Sequence, residues 1–212
     1  MARGRSALLT MLMIGMLGVA TVPPAGAAFP TTYYVDNGDP TCDDGTTNSF
    51  AIPYCTIQAA VDDASDDDII DIAAGTYTGT HPSQVVWLNG KSLTLQGAGQ
   101  GVTIIDGETS RIGIRIDLAS ANLSDLTVAQ GHSSGSGGGI YALNTAGGEM
   151  ETVTVTDVTV ADSVGAYSGG AMLAYGAVTL TMLRVTLDGG IGEIGGGGGL
   201  VAHEGAIVTI DD

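Results

Sequence analysis

The sequence predicts an all-β protein, a right-handed parallel β-helix (a solenoid) with a short N-terminal capping α-helix. Three observations lead there. Past residue 80 the chain is a succession of short runs in which apolar and polar residues alternate, Val-Thr-Val-Thr-Asp-Val-Thr-Val (residues 153–160) being the clearest. Such alternation sends every second side chain to one face of a strand. Whole phrases also recur: Ser124-Asp125-Leu126-Thr127-Val128 matches Thr156-Asp157-Val158-Thr159-Val160, and Leu183-Arg184-Val185-Thr186-Leu187 is a weaker third copy. The apolar residues ending successive phrases, Ile72, Leu95, Val128, Val160 and Leu187, are 23, 33, 32 and 27 residues apart, within the range that marks a solenoid.

The elements follow in chain order. Arg3 and Arg5 precede an apolar run from Ala7 to Ala20, and Val22-Pro23-Pro24-Ala25-Gly26-Ala27 closes it. That order describes a secretory signal peptide over residues 1–27, removed after Ala27 or Ala28. Its apolar run is too short for a comfortable membrane span, so the mature chain contains no transmembrane segment. Cleavage after Ala27 leaves 185 of the 212 residues, enough for one domain. Residues 28–55 read as a loop region rich in Asp and Gly. Cys42 and Cys55 lie within it, and in an exported chain they are expected to form a disulfide that braces the loop.

Residues 56–212 form the β-helix domain. Ile57, Ala60, Val61 and Ala64 recur with helical period, which predicts a helix over 56–65. Set just before the strand at Ile69–Ile72, it would cover the open edge of the first coil, an edge that otherwise templates aggregation. Asp66-Asp67-Asp68 would then separate cap from coil. The following β-type runs are 85–88, 92–95, 102–105, 112–116, 123–128, 139–143, 152–160, 171–174, 177–187, 199–202 and 207–210. Gly-Gly and an apolar residue follow each long phrase, at Gly138-Gly139-Ile140, Gly169-Gly170-Ala171 and Gly198-Gly199-Leu200. An antiparallel sandwich is the alternative, and Asn89-Gly90 and Asp106-Gly107 would suit its hairpins. The chain ends inside another Val-Thr run with no closing cap, so a truncated product is expected, its last edge calling for a missing segment or a partner.

The stretch YYVDNGDPTCDD, the segment PYCTIQAAVDDASDDDIIDIAAGTYTG and the coil KSLTLQGAGQGVTIIDG resemble the amino-terminal part of exported proteins in the pectin-lyase-like β-helix superfamily. The later Gly-Gly-Gly-Ile-Tyr and Thr-Asp-Val-Thr-Val-Ala-Asp-Ser phrases resemble repeats of polymorphic outer-membrane proteins and related adhesins. Together these resemblances cover residues 33–212. They imply the fold and a secreted or cell-surface location, and they leave the activity open.

Charge excludes one function class. Without residues 1–27 the chain has four basic residues (Lys91, Arg111, Arg115 and Arg184) against 23 acidic ones, a net charge of −19. Such a surface repels nucleic acid, whose phosphates require Lys and Arg.

Few stretches of the sequence carry a chemical signature. Gly131-His132-Ser133-Ser134-Gly135 matches the nucleophile-elbow pattern, but no helix follows it and a turn explains it. Gly97-Ala98-Gly99-Gln100-Gly101 lacks the helix of a dinucleotide loop. The five glycines 195–199 lack the Asp of calcium-binding repeats. His81, His132 and His203 show no metal-ligand spacing, and the tyrosines and Trp87 show no sugar-stacking platform in their spacing. Asp106, Arg111, Arg115, Asp117 and Asp125 form the one compact mixed-charge group. Ile112, Ile114 and Ile116 are expected to point inward, which would put Arg111, Arg115 and Asp117 on the outer face. If the chain is an enzyme, Arg111, Arg115, Asp117 and Asp125 are its candidates, although the Trp-Ile-Asp-His phrase of pectate lyases is absent.

The resulting expectation is an exported adhesive or structural module whose loops Gln130–Gly138 and Gly189–Gly198 meet a glycan or a cell-surface protein, with no cofactor. The alternative is a pectate-lyase-like enzyme on acidic glycans, which would call for calcium.

Overall fold

The structure, a computed structural model, describes residues 29–45, 49–146, 148–194 and 196–211. The signal-peptide reading of residues 1–27 lies outside them. The architecture is the parallel β-solenoid of about five turns that the sequence predicts. Strand β1 (Thr32–Val35) and helix α1 (Ile57–Asp63) precede the coils. The first coil holds β2 (Ile69–Ile72), β3 (Gly75–Tyr77) and β4 (Gln84–Asn89), and the second β5 (Leu93–Gly97), β6 (Thr103–Asp106) and β7 (Ile112–Asp117). The third has β8 (Ala121–Ala129), β9 (His132–Ser133) and β10 (Ile140–Asn144); the fourth has β11 (Glu151–Ala161), β12 (Val164–Gly165) and β13 (Met172–Gly176). The fifth comprises β14 (Val178–Leu183), β15 (Thr186–Asp188), β16 (Ile191–Gly192) and β17 (Leu200–His203), and β18 (Ile207–Asp211) begins a sixth.

All strand pairings between these elements are parallel, which decides against the sandwich. Three sheets result: a ten-stranded one through β2, β5, β8, β11 and β14, a five-stranded one in the order β17-β13-β10-β7-β4, and a three-stranded one of β9, β12 and β16. Alternation packs Leu95, Leu123, Val155 and Leu180 against Leu88, Ile116 and Ala142 in one continuous core. Asn89-Gly90 and Asp106-Gly107 are corners between parallel strands; Gly90 has a φ of 67°.

The first coil is closed by more than the expected helix. Thr56 caps α1 by accepting a hydrogen bond from the Ala59 amide, and Ile57, Ala60 and Val61 are buried. Gln58 then acts as a short false strand along β4: its Oε1 accepts from the Trp87 amide at 2.7 Å and its amide donates to the Trp87 carbonyl. The edge of β2 is covered by β1, a strand within the segment read as loop. The Asp run is more than a spacer, because buried Asp68 accepts from the Thr31 and Ser65 amides. Cys42 and Cys55 form the expected disulfide.

The recurring phrases are corners. Asp125, Asp157 and Arg184 have φ of 56°, 52° and 51° and stand in register at the same bend of successive coils. This left-handed region suits Asp better than most residues. In the Gly-Gly phrases, the register aligns Ile140 with Met172 and Leu200, so Ala171 occupies the place of Gly139 and Gly199. The middle phrase is therefore offset by one residue from the expected alignment.

Between the last two corner residues, Arg184 Nε donates to Asp157 Oδ1 at 2.7 Å. This hydrogen bond, more than charge attraction, holds the Asp157 carboxyl below its ordinary value of 3.8. A carboxyl depressed in the folded state stabilises it above the unfolded value and ceases to do so as pH falls through the folded one. Asp157→Asn is accordingly expected to lower Tm at pH 7 by a modest amount, the pair being exposed. Thermal melts of both proteins should converge by about pH 2, and a gap persisting there would mean that the ion pair is not its cause.

Candidate functional site

The outer face of the five-stranded sheet is set by register. Trp87, Arg115, Tyr141, Leu173 and Val201 stand in one row across β4, β7, β10, β13 and β17. Two residues further along each strand lie Asn89, Asp117, Leu143, Tyr175 and His203. With a strand spacing of about 4.8 Å the row spans roughly 19 Å along the solenoid axis.

Arg115 stands second in the row, between Trp87 and Tyr141. Its Nε donates to Asp117 Oδ2 at 2.8 Å, and Trp87 Nε1 donates to the same oxygen at 2.9 Å. The guanidinium carbon lies 5.7 Å from the centroids of both the Trp87 and Tyr141 rings, within cation–π range of each. Asp117 is buried, and its Oδ1 has no hydrogen-bond partner. Burial pushes the Tyr141 hydroxyl up, with Arg115 opposing, so at neutral pH it is protonated and able to donate.

Beside this group opens a cavity of about 470 Å³ whose wall includes Arg115, Tyr141, Ser110, His132, Ser133, Ser134 and Ser136. Ser136 also borders a second hollow of about 210 Å³ formed with Ser168, Leu173, Tyr175, Val201 and His203. There Tyr175 and His203 stack with ring centroids 5.6 Å apart. Neither hollow is lined by a carboxylate. Three hollows elsewhere, beside Asp67 and Asn122, beside Tyr34 and Asp36, and beside Asn144 and Glu204, each have at least one.

The residues grouped in the sequence as one charged cluster divide among three places. Arg115 and Asp117 form the pair just described. Arg111 bonds to Glu108 and to the His81 carbonyl. Asp106 accepts from the Glu108 amide. Asp125 stands in the corner column with Asp157 and Arg184, on the ten-stranded sheet. The inward alternation also fails at its first residue: Ile112 lines the cavity and lies outside the core cluster, while Ile114 and Ile116 belong to it. The break comes at Gly113, where a Cβ would lie 2.2 Å from Val128 Cγ1.

The Gly131–Gly135 loop is the short strand β9 and a turn, with Ser133 Oγ accepting from the Gly135 amide. Gly101 donates to Thr127 Oγ1 within a turn, and no helix opens there. Of the histidines, His81 lies near Trp87, with ring centroids 6.1 Å apart, and the other two line the hollows. The aromatic track of Trp87, Tyr141 and Tyr175 is what reading the sequence missed. Its members are 54 and 34 residues apart and meet only through coils of unequal length.

No family model matches the chain, and no curated relative does either. Among solved structures it is similar to a rhamnogalacturonan lyase, at 13% identity and a TM-score of 0.42, over 85% of this chain and 66% of the lyase chain. The chain thus spans just under two thirds of that lyase's length.

Proposed function

We propose that this chain is an exported glycan-binding β-solenoid that holds a sugar chain along the outer face of its five-stranded sheet. The observation that carries the reading is Arg115, fixed by Asp117 between the rings of Trp87 and Tyr141 and opening onto a hydroxyl-lined cavity. Sugars present apolar C–H faces to aromatic rings and hydroxyls to polar side chains, and both kinds of group line this track. Loop 130–138, expected from the sequence to be a contact loop, forms part of the cavity wall. The Cys42–Cys55 disulfide and the features of residues 1–27 support export, and display at a cell surface would follow from a rigid solenoid carrying variable loops.

Binding of the mature chain to an oligosaccharide panel, followed by Trp87 fluorescence and calorimetry, tests this. Tyr141→Ala is expected to weaken binding about tenfold, or about 1.4 kcal/mol, as loss of a central aromatic anchor does. Unchanged affinity in a folded variant would remove the track from the site. Release of unsaturated sugar products would move the reading to the lyase alternative.

A further inference from the structure

Resting on that glycan-binding reading, we propose that the cavity beside Arg115 takes a single anionic group, a carboxylate or sulfate on one sugar of an otherwise neutral chain. It would discriminate against densely charged polyanions.

Each cation among the described residues is bound to a protein group. Lys91 donates to the Val61 and Asp62 carbonyls at the end of α1. Arg184 engages both carboxylate oxygens of Asp157. Arg111 engages Glu108 through Nη1 and the His81 carbonyl through Nε. Arg115 alone is held by Nε only, so its two terminal amino groups have no protein partner among the described residues. Those two groups form the guanidinium edge that binds carboxylate or sulfate with paired hydrogen bonds. Its plane is already oriented by two rings and a buried carboxylate, so little conformational freedom is lost on binding.

The local field decides how much charge is tolerated. The chain has a net charge of −17, yet the two hollows of the track have no carboxylate in their walls. One anion can therefore enter beside Arg115 with no carboxylate in the cavity wall, the nearest being Asp117, which is held on the Nε side of the guanidinium at 2.8 Å. A second and third anion on neighbouring sugars would find no further cation, because Leu173, Tyr175, Val201 and His203 line the continuation. They would instead lie in the field of an acidic protein, which is screened only beyond about 8–10 Å at ordinary salt.

Four kinds of tetrasaccharide separate the possibilities at pH 7.5. They are a neutral one, the same chain with one uronate, the same chain with one sulfate, and tetragalacturonate, the first three prepared on glucose, galactose, mannose and xylose backbones. The singly charged forms are expected to bind about tenfold tighter than the neutral one. Tetragalacturonate should bind no tighter than the neutral chain at low salt. Arg115→Lys, which retains charge but not the paired geometry, should cut the advantage of one charge over the neutral chain, measured on the same variant, to about threefold or less. A uronate advantage without a sulfate advantage, or the reverse, would identify which anion the site takes, and either upholds the proposal. Equal binding of neutral and singly charged chains would overturn it while sparing the glycan-binding reading, as would tightest binding of tetragalacturonate. Absence of binding to every probe would remove both.

Discussion

Gly138→Ala is expected to destabilise the solenoid by about 3 kcal/mol or more, at the upper end of what single substitutions do. A Cβ at Gly138 would lie 2.2 Å from the Val164 carbonyl oxygen, 2.7 Å from its carbon and 2.8 Å from its nitrogen. These are backbone atoms of β12 in the next coil, so no rotamer change relieves the clash. The coils would have to separate, breaking the ladder on both sides. Gly170 and Gly198 are confined alike, with a Cβ 2.3 Å from Ile191 and 2.0 Å from Gly190 backbone atoms. Gly199 is the control, because the nearest atom to its Cβ would be Leu187 Cδ1 at 3.8 Å, and Ala171 already occupies the aligned position in the previous coil. Gly199→Ala should therefore stay within about 0.5 kcal/mol of the parent. Urea unfolding followed by circular dichroism measures both; equal effects would show that adjacent coils do not approach this closely.

That pair of glycines also shows what was readable in advance. The recurrence of Gly-Gly was plain, but its meaning depends on which atoms of the next coil lie against each glycine. Alternation predicted the coils well because one face of each strand must be buried, and Val153, Val155, Val158 and Val160 are all fully buried. The corners were less legible. Asp125 and Asp157 hint at a left-handed residue, whereas Arg184 in the same conformation gives no such sign. Strand β1 was hidden because four residues in a loop-like segment, Thr-Tyr-Tyr-Val, become a strand only by pairing with β2.

The candidate site was half legible. Arg115 and Asp117 are two residues apart, so a strand places them on one side, and that much follows from period-2 geometry. Asp125 seemed to belong with them because it is near in sequence and charged, but a solenoid turns a corner between β7 and β8 and carries it to another sheet. The contributions of Trp87 and Tyr141 depend on register. Their separations from Arg115, 28 and 26 residues, differ from the 25 and 28 residues separating the aligned Ile70, Leu95 and Leu123 of the same coils on the ten-stranded sheet, because loops of different length occur on different sides of each coil. No single period describes both sheets.

Arg115→Ala is expected to cost about 2–3 kcal/mol of stability, a third of its side chain being exposed and the rest covering Asp117. The loss comes less from the missing contacts than from what remains. Asp117 would keep only the Trp87 indole as a donor, in a position 8% exposed, with Oδ1 already unpartnered. Removing both charges avoids that penalty, so Arg115→Met with Asp117→Leu should be more stable than Arg115→Ala by at least about 1 kcal/mol. The double variant keeps both aromatic rings and the serines of the cavity, while it lacks the guanidinium edge. Stability should therefore recover while the preference for a singly charged glycan does not. Recovery of both would mean that the pair is structural only, and failure of stability to recover would mean that Asp117 is not the group that Arg115 supports. Melting curves and oligosaccharide titrations on the same preparations separate these results, because the first depends on the buried carboxylate and the second on the outward edge of Arg115.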